Sequence, residues 1–384
     1  MKGSTTRILT THAGSLPRPP ELVDLQVRVS RGEIVAPAAL AFAIRKATQR
    51  AVEQQLDIGI DIGNDGEQPR ESFFTYVRYR MSGFSGTSAR PALRDLDMFP
   101  AVRAQVQARS QPSLVLAPPR ATGAVRYLDR LPLDRDLDAF SLLLLQKAAS
   151  FGETFWTAPS PGIIGSAMQN DFYGSLEEYI NAVADALRTE YEAIVARGHI
   201  LQIDAPDLAM ERHRLFADRP LGDFLGFVDI VINALNRALA NIPRDRIRLH
   251  VCWGNYEGPH TLDVALEDLL PHLFSARVGG LVLSMANPRH AHEHRILAKL
   301  GFPRDWTLVV GVIDTTTNYV EHPEVVADRL ELAAKAVGDP RRVLAGTDCG
   351  FDTSTGCGCV ADEVVWEKLR ALRAGADLAT ARLF

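Results

Sequence analysis

Short apolar runs that stop at polar turns recur along the chain. Eight of them read as buried strands, at residues 8–14, 58–63, 153–158, 199–206, 248–255, 281–286, 308–314 and 343–348. Each is too short for a helix and is built mostly from Ile, Val and Leu. Between them the apolar positions shift to helical spacing. A helix is expected over about 37–56, with Leu40, Ile44, Ala47 and Ala51 on one face. Ser175 and Glu178 read as a capping box ahead of a stripe of Leu176, Ile180, Val183, Leu187, Tyr191 and Ile194. Further helices fit over 224–239 and 324–337, the latter stopped by Gly338-Asp339-Pro340.

Strands alternating with helices imply a parallel sheet, and eight of them point to a closed (β/α)8 TIM barrel rather than an open doubly wound sheet. The absence of Gly-x-Gly-x-x-Gly after the first strand agrees with that choice. From about 73 to 150 the rhythm is lost. This stretch reads as an insertion after the second strand, with its own hairpin, a strand-like segment at 123–128 and a helix near 137–151. The whole of 1–384 is therefore expected to be a single barrel domain.

Composition removes several classes of function. With 42 basic and 47 acidic residues the formal charge is −5, and no basic, aromatic-interleaved patch suggests nucleic acid. No apolar run is long enough to span a bilayer, and the N-terminus lacks the apolar core of a signal peptide, so a cytoplasmic protein is expected. The four cysteines, Cys252, Cys349, Cys357 and Cys359, all follow His250. In a reducing compartment that clustering suggests metal binding or catalysis rather than a disulfide framework.

Within Arg248-Leu-His-Val-Cys-Trp-Gly-Asn255, strand alternation puts His250 and Cys252 on the same side. Imidazole and thiol are preferred Zn²⁺ ligands, and Cys349, at the end of the last strand, is the best candidate for a third. A His-x-Cys alone is more often a buried histidine and a small buried hydrophobe. The barrel alters that balance, because strands five and eight converge across its mouth. Chemistry in such barrels sits at the C-terminal strand ends, which here carry Ser15, Glu67, Asp204, His250, Cys252, Asp314 and Cys349.

Six motifs in register then resemble the catalytic barrel of cobalamin-independent methionine synthase. They are Thr11-His-Ala-Gly-Ser-Leu-Pro-Arg18, Gly66-Glu67, Leu201-Gln-Ile-Asp-Ala-Pro206, His250-Val-Cys252, Gly311-Val-Ile-Asp314 and Asp348-Cys-Gly350. Residues 158–164, 252–259 and 287–290 are similar to short relatives that include epoxyalkane:coenzyme M transferase. The resemblance implies Zn²⁺ held by His250, Cys252 and Cys349, binding the sulfur of an incoming thiol for methyl or alkyl transfer. It also implies that Ser15, Glu67 and Asp204 hold the polar part of an amino-acid thiol, although each reads equally as a turn residue, a loop acid and a helix cap. The synthase takes a further ligand, a glutamate, from the end of its sixth strand, where this chain has Met285. Met285 is read as apolar lining, which leaves three protein ligands and an open position; alternatively Glu257, His260 or Cys357 replaces the missing acid. Cys357 and Cys359 are open between structural, redox and metal roles.

Two alternatives accompany that reading. One is ring opening of an epoxide by a thiolate, with Asp204 or His290 protonating the alkoxide and Arg70 or Arg289 receiving a sulfonate or carboxylate. The other is a non-catalytic thiol- or zinc-binding barrel. Asn255, in the turn behind Cys252, is counted among the substrate contacts. The expected partners are a small thiol and an alkyl donor, and homo-oligomerisation is left open.

Overall fold

All eight apolar runs form parallel strands in the computed structural model, which describes residues 1–109 and 117–384. They are β1 Leu9–Thr10, β2 Ile62–Gly63, β3 Glu153–Pro159, β4 Ile200–Asp204, β5 Ile247–Val251, β6 Gly280–Ser284, β7 Thr307–Ile313 and β8 Val343–Thr347. The hydrogen-bonded order is β1-β8-β7-β6-β5-β4-β3-β2. The seam between β1 and β2 is spanned by Asp61 N–H on the Thr10 carbonyl at 3.1 Å and Thr11 Oγ1 on the Ile62 carbonyl at 2.8 Å. The sheet is thus a nearly closed (β/α)8 barrel.

Along each strand one set of side chains points into the barrel and the other toward the helices. The inward set is layered. At the N-terminal end Phe155, Ile200, Val282, Val309 and Leu344 form an apolar floor. Above it the Arg248 guanidinium lies 3.9 Å from the centre of the Phe155 ring and donates to Gln202 Oε1, Thr11 Oγ1 and the His12 carbonyl. Asp204 and His250 come next, opposite one another in the β4–β5 register.

Outside the strands, the helix Leu176–Ala196 buries Ile180, Val183, Leu187, Tyr191 and Ile194. Burial of each such side chain contributes roughly 1.5–3 kcal/mol. Ser175 Oγ accepts the Glu178 N–H at 3.0 Å, while the Glu178 carboxylate takes the Gly174 N–H at 3.0 Å instead of that of Ser175. The reciprocal half of the box is therefore displaced by one residue. Among the described residues no helix is long and apolar enough to cross a membrane.

Three boundaries differ from the sequence reading. Residues 58–61 do not begin the second strand, because the helix Pro37–Ile58 runs on until Gly59 closes it at φ 85°. Segment 123–128 is not a strand. The hairpin instead pairs Phe84–Ser85 with Arg120–Ala121, and Tyr127 makes only an isolated bridge to Met81. The helix expected from 137 spans Leu131–Leu145, with a proline in its first turn. The middle of the insertion, 110–116, lies outside the described residues.

The C-terminal helix Asp362–Leu383 is fastened to the barrel rim by a buried ion pair. Lys368 Nζ lies 3.2 and 3.0 Å from the Glu321 oxygens, and Glu321 Oε1 also receives the Asp314 N–H at 2.8 Å. Removing one partner strands a buried charge. Lys368→Met is expected to cost about 3–5 kcal/mol in urea denaturation, whereas an apolar replacement of both partners should cost far less. Equal losses in the two variants would contradict this account.

Candidate metal centre and substrate cavity

β5 and β8 deliver His250, Cys252 and Cys349 to one point at the C-terminal mouth. Their donor atoms all lie within 4.8 Å of one another, and all three residues are buried. Asp348, immediately before Cys349, fixes the approach. Its carboxylate accepts the backbone N–H groups of Met285, Ala286 and Asn287 at 2.8–2.9 Å, and its carbonyl receives Ser284 Oγ at 2.6 Å. Gly311 on β7 leaves room for that carboxylate, since a Cβ there would stand 2.1 Å from Asp348 Oδ1.

The imidazole of His250 is oriented by Asp204, whose Oδ1 lies 2.9 Å from Nδ1 and also accepts Gln202 Nε2 at 2.7 Å. A carboxylate on Nδ1 is the usual outer support of a metal-binding histidine, while Nε2 lies 3.2 Å from the Asp348 carbonyl and would exchange that contact for a metal. Burial opposes charge on this ring, but hydrogen bonds with Asp204 and Cys252 outweigh it and raise His250 to about 10. Hydrogen bonds from Cys349 and His250 hold the Cys252 thiol well below its ordinary value. The Cys252 sulfur and burial push Cys349 well above its own. The sulfur pair thus holds one readily formed thiolate. Two thiols and an imidazole lone pair on a rigid rim suit zinc in chemistry and spacing.

A cavity of about 130 Å³ opens over these residues, lined also by Ser15, Glu67, Asp204 and Asn255. Glu67 projects from the turn after β2 with a left-handed backbone, φ 59°. Its Oε1 accepts Thr157 Oγ1 at 2.8 Å, while its buried Oε2 has no hydrogen-bond partner among the described residues. Two glycines let the walls meet. A Cβ on Gly14 would stand 2.4 Å from Glu67 Oε1, and one on Gly350 would stand 2.1 Å from Ser15 Oγ. Arg18 bolts the three loops together by donating to the Asp352, Glu67 and Arg70 carbonyls. Asn255 donates to the Gly350 carbonyl and accepts Thr315 Oγ1, both at 2.9 Å, so its side chain ties loops while one face lines the cavity.

Other expected site residues lie elsewhere. Arg70 is buried behind Glu67, where it donates to the Thr157 carbonyl and Oγ1, so it cannot receive a substrate anion. Arg289 is exposed and donates to the His260 carbonyl. His290 is engaged by Asp263 and Glu293 rather than facing this cavity. Asp314 accepts the Thr316 and Thr317 N–H groups and shapes its own loop. Met285 packs in the core, and neither it nor Glu257, His260 or Cys357 lines the cavity. Cys357 is half-buried and Cys359 exposed, both outside the His250–Cys252–Cys349 group.

The sequence reading missed one cation. Arg90, from the insertion, lines the cavity with Phe73 and Met210, pairs with Glu211, and keeps a buried Nε without a partner among the described residues. No periodic pattern marks that position.

The class is now defined as a (β/α)8 barrel with a His–Cys–Cys donor set and carboxylates at its C-terminal mouth. No family model matches the chain. Methionine synthase of Sulfolobus acidocaldarius is 24% identical over 352 residues, covering 91% of this chain and 88% of that protein. The 5-methyltetrahydropteroyltriglutamate–homocysteine methyltransferase of a Chelativorans species is 24% identical over 347 residues, and there the match takes in only 39% of the longer protein. Among solved structures, a B12-independent methionine synthase from Shewanella in complex with selenomethionine superposes with a TM-score of 0.73 at 22% identity. That superposition covers 98% of this chain and 99% of that one. The chain resembles the cobalamin-independent methionine synthase superfamily in sequence and shares its fold.

Burial is the largest influence on Glu67 and pushes it from 4.5 to about 7 against the attraction of Arg70. A carboxyl with a raised folded-state value contributes stability that is fully present below the unfolded value and lost as pH rises through the folded one. Glu67→Gln should therefore gain thermal stability on the wild type between about pH 4.5 and 7. Melting curves that run parallel across that window would exclude the proposed charge.

Proposed function

We propose that this protein is a zinc-dependent methyltransferase of the methionine synthase type, alkylating the sulfur of an amino-acid thiol such as homocysteine. The observation that carries the reading is the convergence of His250, Cys252 and Cys349 within 4.8 Å, at the base of a cavity that also holds an unpartnered Glu67 oxygen. When bound there, zinc supplies the Lewis acidity that keeps a thiol deprotonated near neutral pH.

The chain's own groups do the positioning. Asp204 holds His250 by Nδ1, which leaves Nε2 as the nitrogen that would bind a metal. Glu67 Oε2, buried and without a donor, fits a substrate ammonium, and a charged donor there would satisfy an oxygen that is otherwise costly to bury. Ser15, on the adjoining loop, is held by its hydroxyl against the Asp352 N–H at 3.3 Å. Phe73, Pro206 and Met210 cover the cavity with apolar surface and thin out the water around the sulfur. Transfer forms a carbon–sulfur bond as the donor's nitrogen–methyl bond breaks; the thiol proton is released to solvent and the leaving nitrogen takes one up.

One observation favours a second reading. Arg90 on the cavity wall would accept an anionic tail such as a sulfonate, as ring opening of an epoxide by an alkanethiol sulfonate requires. In that reaction the orphaned Glu67 oxygen gains no partner, so the amino-acid thiol is preferred.

Purified protein is expected to contain about one zinc per chain at this centre and to form methionine from homocysteine and 5-methyltetrahydropteroyltriglutamate. Cys252→Ser and Cys349→Ser should each lower both by about 100-fold or more, because affinity depends on the complete ligand set. Full zinc occupancy in either variant would defeat the proposal. Turnover of an epoxide with 2-mercaptoethanesulfonate, and none with homocysteine, would select the second reading.

A further inference from the structure

A second group of metal-ligating side chains stands beside the first, built from the loops after β5 and β6. His260, Asp263 and His290 place their donor atoms within 4.8 Å of one another. Asp263 Oδ2 lies 2.8 Å from both His260 Nδ1 and His290 Nε2. The outer nitrogens are already committed, His260 Nε2 to the Tyr256 carbonyl at 3.1 Å and His290 Nδ1 to Glu293 Oε2 at 2.9 Å. Each outer contact is to an acceptor and so requires an N–H. A neutral imidazole has only one N–H, and both inner nitrogens would then aim lone pairs at a single carboxylate oxygen. Either each ring carries a second proton, or a cation sits between the rings and the carboxylate.

Three further observations favour the cation. His213 is wholly buried with Nδ1 2.9 Å from Asp263 Oδ1, yet neither ring nitrogen makes an aligned hydrogen bond among the described residues. The rings cannot turn away. Trp253 stacks on His290 with centroids 3.7 Å apart, and Tyr256 stacks on His260 at 4.3 Å. His260 is also held at φ 51°, a left-handed conformation fixed by its N–H on Asp95 Oδ2 at 2.9 Å.

We propose that His260, Asp263 and His290 form a second metal site for a divalent first-row transition ion. Two imidazoles and a carboxylate are harder than the two sulfurs of the first centre and suit Zn²⁺, Fe²⁺, Co²⁺ or Mn²⁺. Outer acceptors on each ring are the support such ligands require. The exchange is balanced in charge, because one divalent ion replaces the two inner protons while Asp263 and Glu293 stay ionised. Trp253 directly follows Cys252, so an ion here braces the loop that carries the first centre.

The test uses the full chain, stripped by chelator and titrated with Co²⁺. Wild type should take up about two ions, and the Cys252→Ser/Cys349→Ser double variant about one, with visible d–d bands but no sulfur-to-cobalt band. Adding Asp263→Asn, which keeps the side-chain volume, should abolish the remaining uptake. A folded double variant that binds no Co²⁺, or one whose Co²⁺ survives Asp263→Asn, overturns the site. In the otherwise intact chain, His260→Gln and His290→Gln should each remove about one ion while leaving the sulfur band unchanged. Retention of both ions in these variants would likewise overturn it. Because the double variant has lost the thiol centre, this outcome is independent of whether the protein transfers methyl groups.

Discussion

The mouth of the barrel depends on one buried carboxylate. Asp348 gathers three consecutive backbone N–H groups from the end of β6 while its own backbone continues β8. Those N–H groups would otherwise be orphaned where the strand leaves the ladder, at a cost of about 1–3 kcal/mol each. The carboxylate meets that need and is itself taxed by desolvation, which pushes it up to about 6. Its neighbour Cys349 inherits the position. A strand-to-strand clamp for backbone is thus also what sets a sulfur beside His250 and Cys252.

Beneath the mouth, polarity rises in steps along the barrel axis. The apolar floor isolates Arg248, whose guanidinium reaches β1 and β4 at once. Gln202 takes that interaction on one end and passes a hydrogen bond to Asp204 on the other, and Asp204 orients His250. Interior positions that a packed barrel would fill with branched aliphatics are here spent on a polar column. Its effect is to fix the orientation of one imidazole four layers of contact above the floor.

Much of this was legible in the chain because buried parallel strands are short, apolar and end on polar turns. His250 and Cys252 follow from strand alternation, and the join to Cys349, about a hundred positions away, follows once eight strands close a ring. Arg70, Arg289 and His290 were misplaced for a common reason: sequence shows a charge or a ring but not the partner that already holds it. Thr157, His260 and Asp263 hold them. The insertion was hard to read because its only sheet among the described residues is two residues per strand, too short to impose a period, so Arg90 and Phe73 carried no signal. The cluster around Asp263 did leave one, in His260-x-x-Asp263 and His290-x-x-Glu293, a spacing that sets two polar groups one turn apart.

The two glycines that let the walls touch have a consequence for how such a cavity changes over time. With Gly14 pressed on Glu67 and Gly350 on Ser15, no atom can be added to either loop without displacing the carboxylate or hydroxyl opposite. That half of the rim is a mould with no tolerance, and its loops can drift only together. The facing wall, where Phe73 and Arg90 enter from outside the strand–helix repeat, has no such interlock. Novelty in what the cavity accepts therefore has one inexpensive route, through the inserted segment, while the sulfur-handling half stays fixed.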